Sequence, residues 1–296
     1  MSNKSASKHP TQSQPAFSEH DAADALNEHG FLFQQVIREA IQNDEPIRRQ
    51  WQVAAMEYPV TAADGTQTRI DLLLRHASSR NVYICVECKR PNPKYKNWIF
   101  FDKSSAGIFI EDGRMIVGEK YVSGVPIDYR HIISSRFPVS GFHIYNYYLE
   151  ATKEKNREKA SSAETIEKAS RQLIAGHTGL MYKLREYEKE AMSFFRSIPL
   201  IVTTADLFAA DYDIGKVSLE TGMIDGASLK LIPQKYCAIN YHPDDGLSVK
   251  RERSNHRKSD VHSDMEFFQN RSVFVVNSSS MREFLFWAGE YLTEHP

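Results

Sequence analysis

The chain has 296 residues, 41% of them hydrophobic and 25% charged, with a formal net charge of −1 and three cysteines. This composition suits one α/β core with extensions and excludes a disulfide framework, a low-complexity chain or a fibrous repeat. No apolar run approaches the roughly 20 residues needed to cross a bilayer. The opening MSNKSASKHPTQSQPAF lacks the apolar segment of a secretory signal, so cytoplasmic residence, with no membrane partner, is expected. The near-neutral balance is low for a protein of polyanions, but basic residues cluster at 89–96 (KRPNPKYK) and 249–258 (VKRERSNHRK). A local patch steers a charged ligand even on a neutral molecule.

Residues 1–16 are rich in Ser, Lys, Gln and Pro and are expected to form a disordered tail. A helix is predicted over 18–43, with Ser18 as N-cap and Glu19 and Asp21 in its first turn. Leu26, Phe33, Val36, Ile37 and Ile41 recur near helical spacing, and Asn43-Asp44-Glu45-Pro46 breaks the run. Three strands are predicted next, at 51–60, 68–75 and 82–89. The turn Ala63-Asp64-Gly65 separates the first two and residues 77–81 separate the last two. The third strand, VYICVECK, is rich in β-formers.

Residues 91–150 are fragmented by Pro and Gly and dense in aromatics (Trp98, Phe100, Phe101, HIYNYY at 143–148). They are read as an insertion. A long helix is predicted over 161–193 with Ile166, Leu173, Ile174, Leu180, Met181 and Leu184 on its apolar side. Gly176 and Gly179 are expected kink points. A buried strand follows at 198–204, then short strands with turns over 206–247. A strand at 272–276 and a helix at 279–292, capped by Asn277 or Ser278, close the chain. The expected fold is α/β, a mixed central β-sheet flanked by helices. Residues 17–205 are expected to form its core and 206–296 an extension packed on it.

The chemistry concentrates in RIDLLL (69–74) and VYICVECKR (82–90). Strand side chains alternate between faces, so Glu87 and Lys89 share one face, and Asp71 lies on the neighbouring antiparallel strand. Charges inside an apolar strand are costly unless paired or metal-bound. Two carboxylates suit a hard divalent cation such as Mg²⁺, whose remaining positions go to waters and phosphate oxygens. An adjacent lysine can orient water and offset developing charge. Acid-x-Lys is a short pattern, and Glu87-x-Lys89 is its one occurrence in the chain; its weight comes from its place at the end of a hydrophobic strand. The bland alternative is a solvent-facing salt bridge at a sheet edge.

These residues, in the order helix, strand, strand with Asp, strand with Glu-x-Lys, helix, strand, resemble the PD-(D/E)xK nuclease superfamily with its restriction-endonuclease-like fold. Asp71 matches the motif's Asp, although Ile70 stands where the motif has Pro. Glu87 and Lys89 match its Glu-x-Lys. The resemblance spans about 20–205 and departs from the family in the long insertion after Lys89. It implies a Mg²⁺- or Mn²⁺-dependent nuclease, with metal held by Asp71, Glu87 and the main-chain carbonyl of Cys88, and water positioned by Lys89. It further implies an extra acid from the first helix, with Glu39 the first candidate and Glu57 on the first strand a weaker one. It implies a Gln on the following helix, matched by Gln172. The expected partner is nucleic acid, DNA ahead of RNA. Many members act as homodimers or beside a partner ATPase, and some serve in restriction or defence against foreign DNA.

Other signals carry less. Cys85 and Cys88 form a CxxC, but residues three apart on a strand face opposite ways, which disfavours a shared zinc. The histidines show no HExxH spacing, and no GxxxxGK[ST] loop is present. The aromatics after KRPNPKYK suit single-strand stacking, but an ordinary core around a loop is the favoured reading. Three rivals stay open. They are an inactive module of the same fold binding nucleic acid or protein, an RNase of the same fold, and a structural subunit of a larger complex.

Overall fold

The computed structural model describes residues 17–28, 30–62, 65–79, 81–104, 108–114, 118–122, 125–129, 133–137, 142–152, 161–187, 194–241 and 271–294. The tail at 1–16 and the basic run at 249–258 lie outside the described residues.

The helix expected over 18–43 is two helices, α1 (Glu19–Glu28) and α2 (Phe31–Asn43). Gly30 stands between them with φ +49°, a left-handed conformation that interrupts a helix. At the front of α1, Ser18 and Asp21 cap each other reciprocally. Of the predicted stripe, Phe33, Ile37 and Ile41 are buried, while Leu26 and Val36 are exposed. Asp44 ends α2 and caps a short helix that the sequence reading missed, α3 (Glu45–Gln50), by accepting from the Ile47 N–H at 3.1 Å.

The strand meander follows: β1 (Trp51–Thr61), β2 (Gln67–His76) and β3 (Val82–Lys89), paired antiparallel in sequence order. Then come β4 (Asn97–Lys103), β5 (Ile108–Arg114), β6 (Gly118–Val122), β7 (Val125–Tyr129), β8 (Ile133–Phe137), β9 (Ile144–Ala151) and β10 (Ser161–Ser162). After helix α4 (Glu164–Tyr187) the chain forms β11 (Phe194–Thr203), β12 (Asp206–Tyr212), β13 (Leu229–Gln234), β14 (Tyr236–Tyr241) and β15 (Arg271–Asn277), and ends in α5 (Met281–Glu294).

One large mixed sheet holds most of these strands, in the order β1-β2-β3-β11-β15-β14-β9-β4-β12-β13. β3 and β11 run parallel, as do β11 and β15. The stretch expected as an extension therefore supplies a strand, β15, to the middle of the sheet. The expected insertion likewise supplies β4 and β9. Trp98 and Phe100 on β4 are fully buried, so these aromatics are core rather than a stacking surface.

Each face of the sheet is covered. One face packs Leu72, Leu74, Val86, Leu200 and Phe274 against α2, α3 and α5. The other packs Ile70, Leu73, Cys85, Ile201 and Val275 against Ile166, Leu173 and Ile174 of α4. Burying each such side chain contributes ~1.5–3 kcal/mol, so the sheet's two-sided burial fixes strand register wherever a slip would turn these residues outward. Trp51 anchors the first face, its Nε1 donating to the Leu285 carbonyl at 2.8 Å. α4 runs on through Gly176 and Gly179, where kinks were expected. A Cβ at Gly179 would come within 2.8 Å of the Thr61 carbonyl oxygen, and one at Gly176 within 3.0 Å of Ile70 Cγ1. These glycines let the helix lie close on β1 and β2. Among the described residues no helix is long and apolar enough to cross a membrane.

Candidate active site

Alternation along β3 sends Val82, Ile84, Val86 and Cys88 toward α2 and α5, and Cys85 toward α4. Cys85 and Cys88 thus occupy opposite faces, as the strand period requires. By the same alternation Glu87 and Lys89 share the α4 side. β11 pairs with β3 along its whole length, as far as Thr203 opposite Lys89. β2 does not. Its backbone ladder with β3 stops at Leu72 opposite Val86. Beyond that point Asp71 takes over with its side chain, Oδ2 accepting from the Cys88 N–H at 2.8 Å.

The place where β2 leaves β3 is the floor of a cavity of about 990 Å³. Asp71, Glu87, Cys88 and Lys89 form the floor. Asp24 and Asn27 of α1, with Phe31 and Gln34 of α2, form one wall. Thr165, Lys168 and Gln172 of α4 form the other, and residues 90–93 form the rim. Arg90 closes the first wall down by donating to the Asn27 carbonyl at the end of α1.

Asp71 is 5% exposed and Glu87 2%. Lys89 Nζ lies 3.1 Å from Glu87 Oε1. Burial pushes the Asp71 carboxyl up to about 6; the Cys88 N–H and a hydrogen bond from Gln34 pull it down, and the charge of Glu57 adds to the rise. Burial pushes Glu87 up to about 8, with the Asp71 charge adding to the rise and Lys89 opposing it. The single ammonium of Lys89 therefore does not offset what burial costs the two carboxylates.

Gln172 lines the cavity. Glu39 does not. It pairs with Arg38 and with the Asn43 amide, in the open. The α2 residue that reaches the floor is Gln34, five positions earlier and so roughly 140° around the helix. The weaker acidic candidate, Glu57, sits nearer. It lies on β1 between the pairs Met56–Leu72 and Tyr58–Ile70, opposite Asp71. Its φ is +47°, a strained conformation for a non-glycine residue, and its carboxylate lies 3.8 Å from Arg69. Gln34, Thr165 and Lys168 were missed in the sequence. The available signal was a polar residue on or beside an apolar helical stripe: Gln34 precedes Ile37 and Ile41 by three and seven.

Among the described residues no group of three or more His, Cys, Asp or Glu side chains is arranged to hold a metal ion. What the floor offers is two carboxylates with under-compensated charge, which is the donor set that suits Mg²⁺ or Mn²⁺ with waters and substrate oxygens completing the shell. The residues fit the group. Asp71 and Glu87 would hold it, with the Cys88 main-chain carbonyl as a third oxygen. Comparison of the chain with family models, with curated proteins and with solved structures finds no match.

Proposed function

We propose that this chain is a divalent-metal-dependent nuclease of the PD-(D/E)xK type that hydrolyses phosphodiester bonds of DNA. The observation that carries the reading is the buried Asp71–Glu87 pair, with Lys89 against Glu87, on the floor of an open cavity. Perturbed carboxylates in a cleft are characteristic of functional sites. Support for a restriction-endonuclease-like core comes from three antiparallel strands continued by a parallel fourth, with α2 on one face and α4 on the other.

A bound Mg²⁺ or Mn²⁺ would supply Lewis-acid polarisation of the scissile phosphate and acidify a water. The protein's own groups do the rest. Asp71 is held by the Cys88 N–H, with Gln34 favouring its ionised form. Lys89, anchored by Glu87, orients the attacking water and offsets charge building on the phosphate. Gln172 reaches in from α4 as a neutral donor toward water or a phosphate oxygen. Water adds to phosphorus in line and gives up a proton to solvent, the bond to the 3′ oxygen breaks, and that oxygen takes a proton from solvent in return. The products are a 5′-phosphate and a 3′-hydroxyl.

The test is incubation of closed circular duplex, linear duplex, single-stranded DNA and RNA with Mg²⁺ or Mn²⁺, beside an EDTA control and Lys89→Ala. Metal-dependent cutting lost in the variant supports the nuclease. Cutting confined to RNA makes it a ribonuclease of the same chemistry. No cutting and no metal binding by calorimetry leaves a binding module.

A further inference from the structure

We propose that the cavity grips one unpaired nucleic-acid strand, with Lys168 on the phosphate beside the scissile one and Phe31 against a base. This rests on the nuclease reading and names its substrate. The reacting carboxylates are not on the surface. Glu87 is 2% exposed and lies at the bottom of a space walled by α1 and α2 on one side and α4 on the other. A scissile phosphate has to descend between those helices. The space, about 990 Å³, is at the upper end of what holds a single small-molecule ligand. A flexible strand can thread it, whereas a duplex with two backbones and stacked pairs stays outside.

Among the described residues three cations border the cavity, and two are committed. Lys89 is bonded to Glu87, and Arg90 to the Asn27 carbonyl. Lys168 makes no hydrogen bond or ion pair among the described residues. It stands on the same helical face as Thr165 and Gln172, four residues before the latter, which sets an ammonium one turn from the reacting phosphate. Across the cavity Phe31 is 55% exposed, an aromatic face at the mouth of a polar site. A backbone-tracking cation opposite an aromatic platform is how single strands are held without sequence preference.

The test uses the full chain, with fluorescence anisotropy of a labelled single strand (DNA and RNA) and of a blunt hairpin duplex in Ca²⁺ across a salt series. Cleavage of the same molecules and of closed circular duplex is measured in Mn²⁺. The single strand is expected to bind at least about tenfold tighter than the hairpin. Lys168→Gln is expected to lower the salt slope by about 0.7, one phosphate contact on a single strand, and to raise KM with kcat kept. Lys168→Arg is expected to restore both, and Phe31→Ala to weaken binding without changing the slope. Equal cutting of closed duplex and single strand, or an unchanged slope and KM in Lys168→Gln, overturns the proposal and leaves the nuclease standing. Lys168-dependent strand binding with no cutting in Mn²⁺ overturns the nuclease and leaves the grip. No binding and no cutting overturns both.

Discussion

Asp71 Oδ2 accepts the Cys88 N–H at 2.8 Å where the backbone ladder between their strands has already ended. The carboxylate thus does a strand's work while facing the cavity. Removing it exposes both roles. Asp71→Asn keeps an acceptor oxygen and removes charge repulsion with Glu87; Asp71→Ala leaves the buried Cys88 N–H unpaired, which costs about 1–3 kcal/mol. Both variants are expected to lose cleavage. Thermal melts at pH 8 without metal are expected to rank Asn above Ala; the reverse order would mean that the bond contributes nothing.

The stability of the metal-free protein is expected to fall as pH rises. Asp71 at about 6 and Glu87 at about 8 lie above the range near 4 of an unfolded carboxylate, so the folded chain keeps protons that the unfolded chain has released. The stability these groups contribute is complete below about pH 4 and is lost as pH climbs through 6 and then 8, on the order of a few kcal/mol in all. His76, lowered by burial, works the other way in the imidazole range. The double variant Asp71→Asn/Glu87→Gln isolates the carboxylate share and is expected to flatten the fall. Mg²⁺ or Mn²⁺ is expected to raise Tm markedly at pH 8 and little at pH 5, because protons and metal compete for the same oxygens. A Tm equal at both pH values, with and without metal, would remove the case for an under-compensated pair.

Lys89→Ala is expected to fold, since its side chain is 22% exposed, and to lower kcat by about 10²–10³. Glu87 then loses the one cation bonded to it among the described residues, so the loss of stability is expected at pH 8 and not at pH 5. A melt and a single-turnover rate at each pH check this.

Gln34 and Glu39 share a helix but not a role. Gln34→Ala removes a hydrogen bond to Asp71 and is expected to reduce cleavage several-fold to tenfold (about 1 kcal/mol). Glu39→Ala, on the outer side of α2, is expected to leave cleavage unchanged and stability within about 0.5 kcal/mol. Equal effects of the two would contradict the orientation of the helix.

Gly179→Ala tests the seating of α4. Its Cβ would meet Val60 and the Thr61 backbone at 2.8–2.9 Å, and overpacking of this kind costs about 1–3 kcal/mol. Urea unfolding is the measurement, and a neutral result would mean that α4 can ride higher on β1 and β2.

The meander was legible because its signals are local. VYICVECK alternates toward two buried faces, and the Asp-Gly and Ser-Ser pairs are sequence signals that separate the strands. Asp71, Glu87 and Lys89 were legible for the same reason: charges in such strands need an explanation. The break at Gly30 was not legible, since the apolar spacing runs across it. The place of β15 was not legible either, because its partner β11 lies across a long stretch of chain and no periodicity encodes which strand sits beside which. Glu39 is the acid that the first helix offers in sequence, but which of its faces reaches the floor depends on where the helix is docked, and the fold turns Gln34 there instead. Lys168 looked like one of many charges opening α4, and only the fold turns it toward the floor.

The sheet under the cavity is assembled from distant parts. Cys85 on β3 lies beside Ser197 on β11, 112 residues along the chain, and Trp51 is clamped by Leu285, 234 residues later. As a ribosome makes this protein, β3 waits with one edge bare until β11 appears, and the first core face stays only partly covered, by α2 and α3, until α5 has emerged. The residues that line the cavity, from Asp24 to Gln172, are all made before β11 and β15, but the β3 strand under them gains its second neighbour only when β11 arrives, and such long-range closure makes folding slow. The same delay leaves the apolar VYICV stretch open to wrong pairing, so chains shortened ahead of β15 should accumulate as aggregates rather than as weak enzymes.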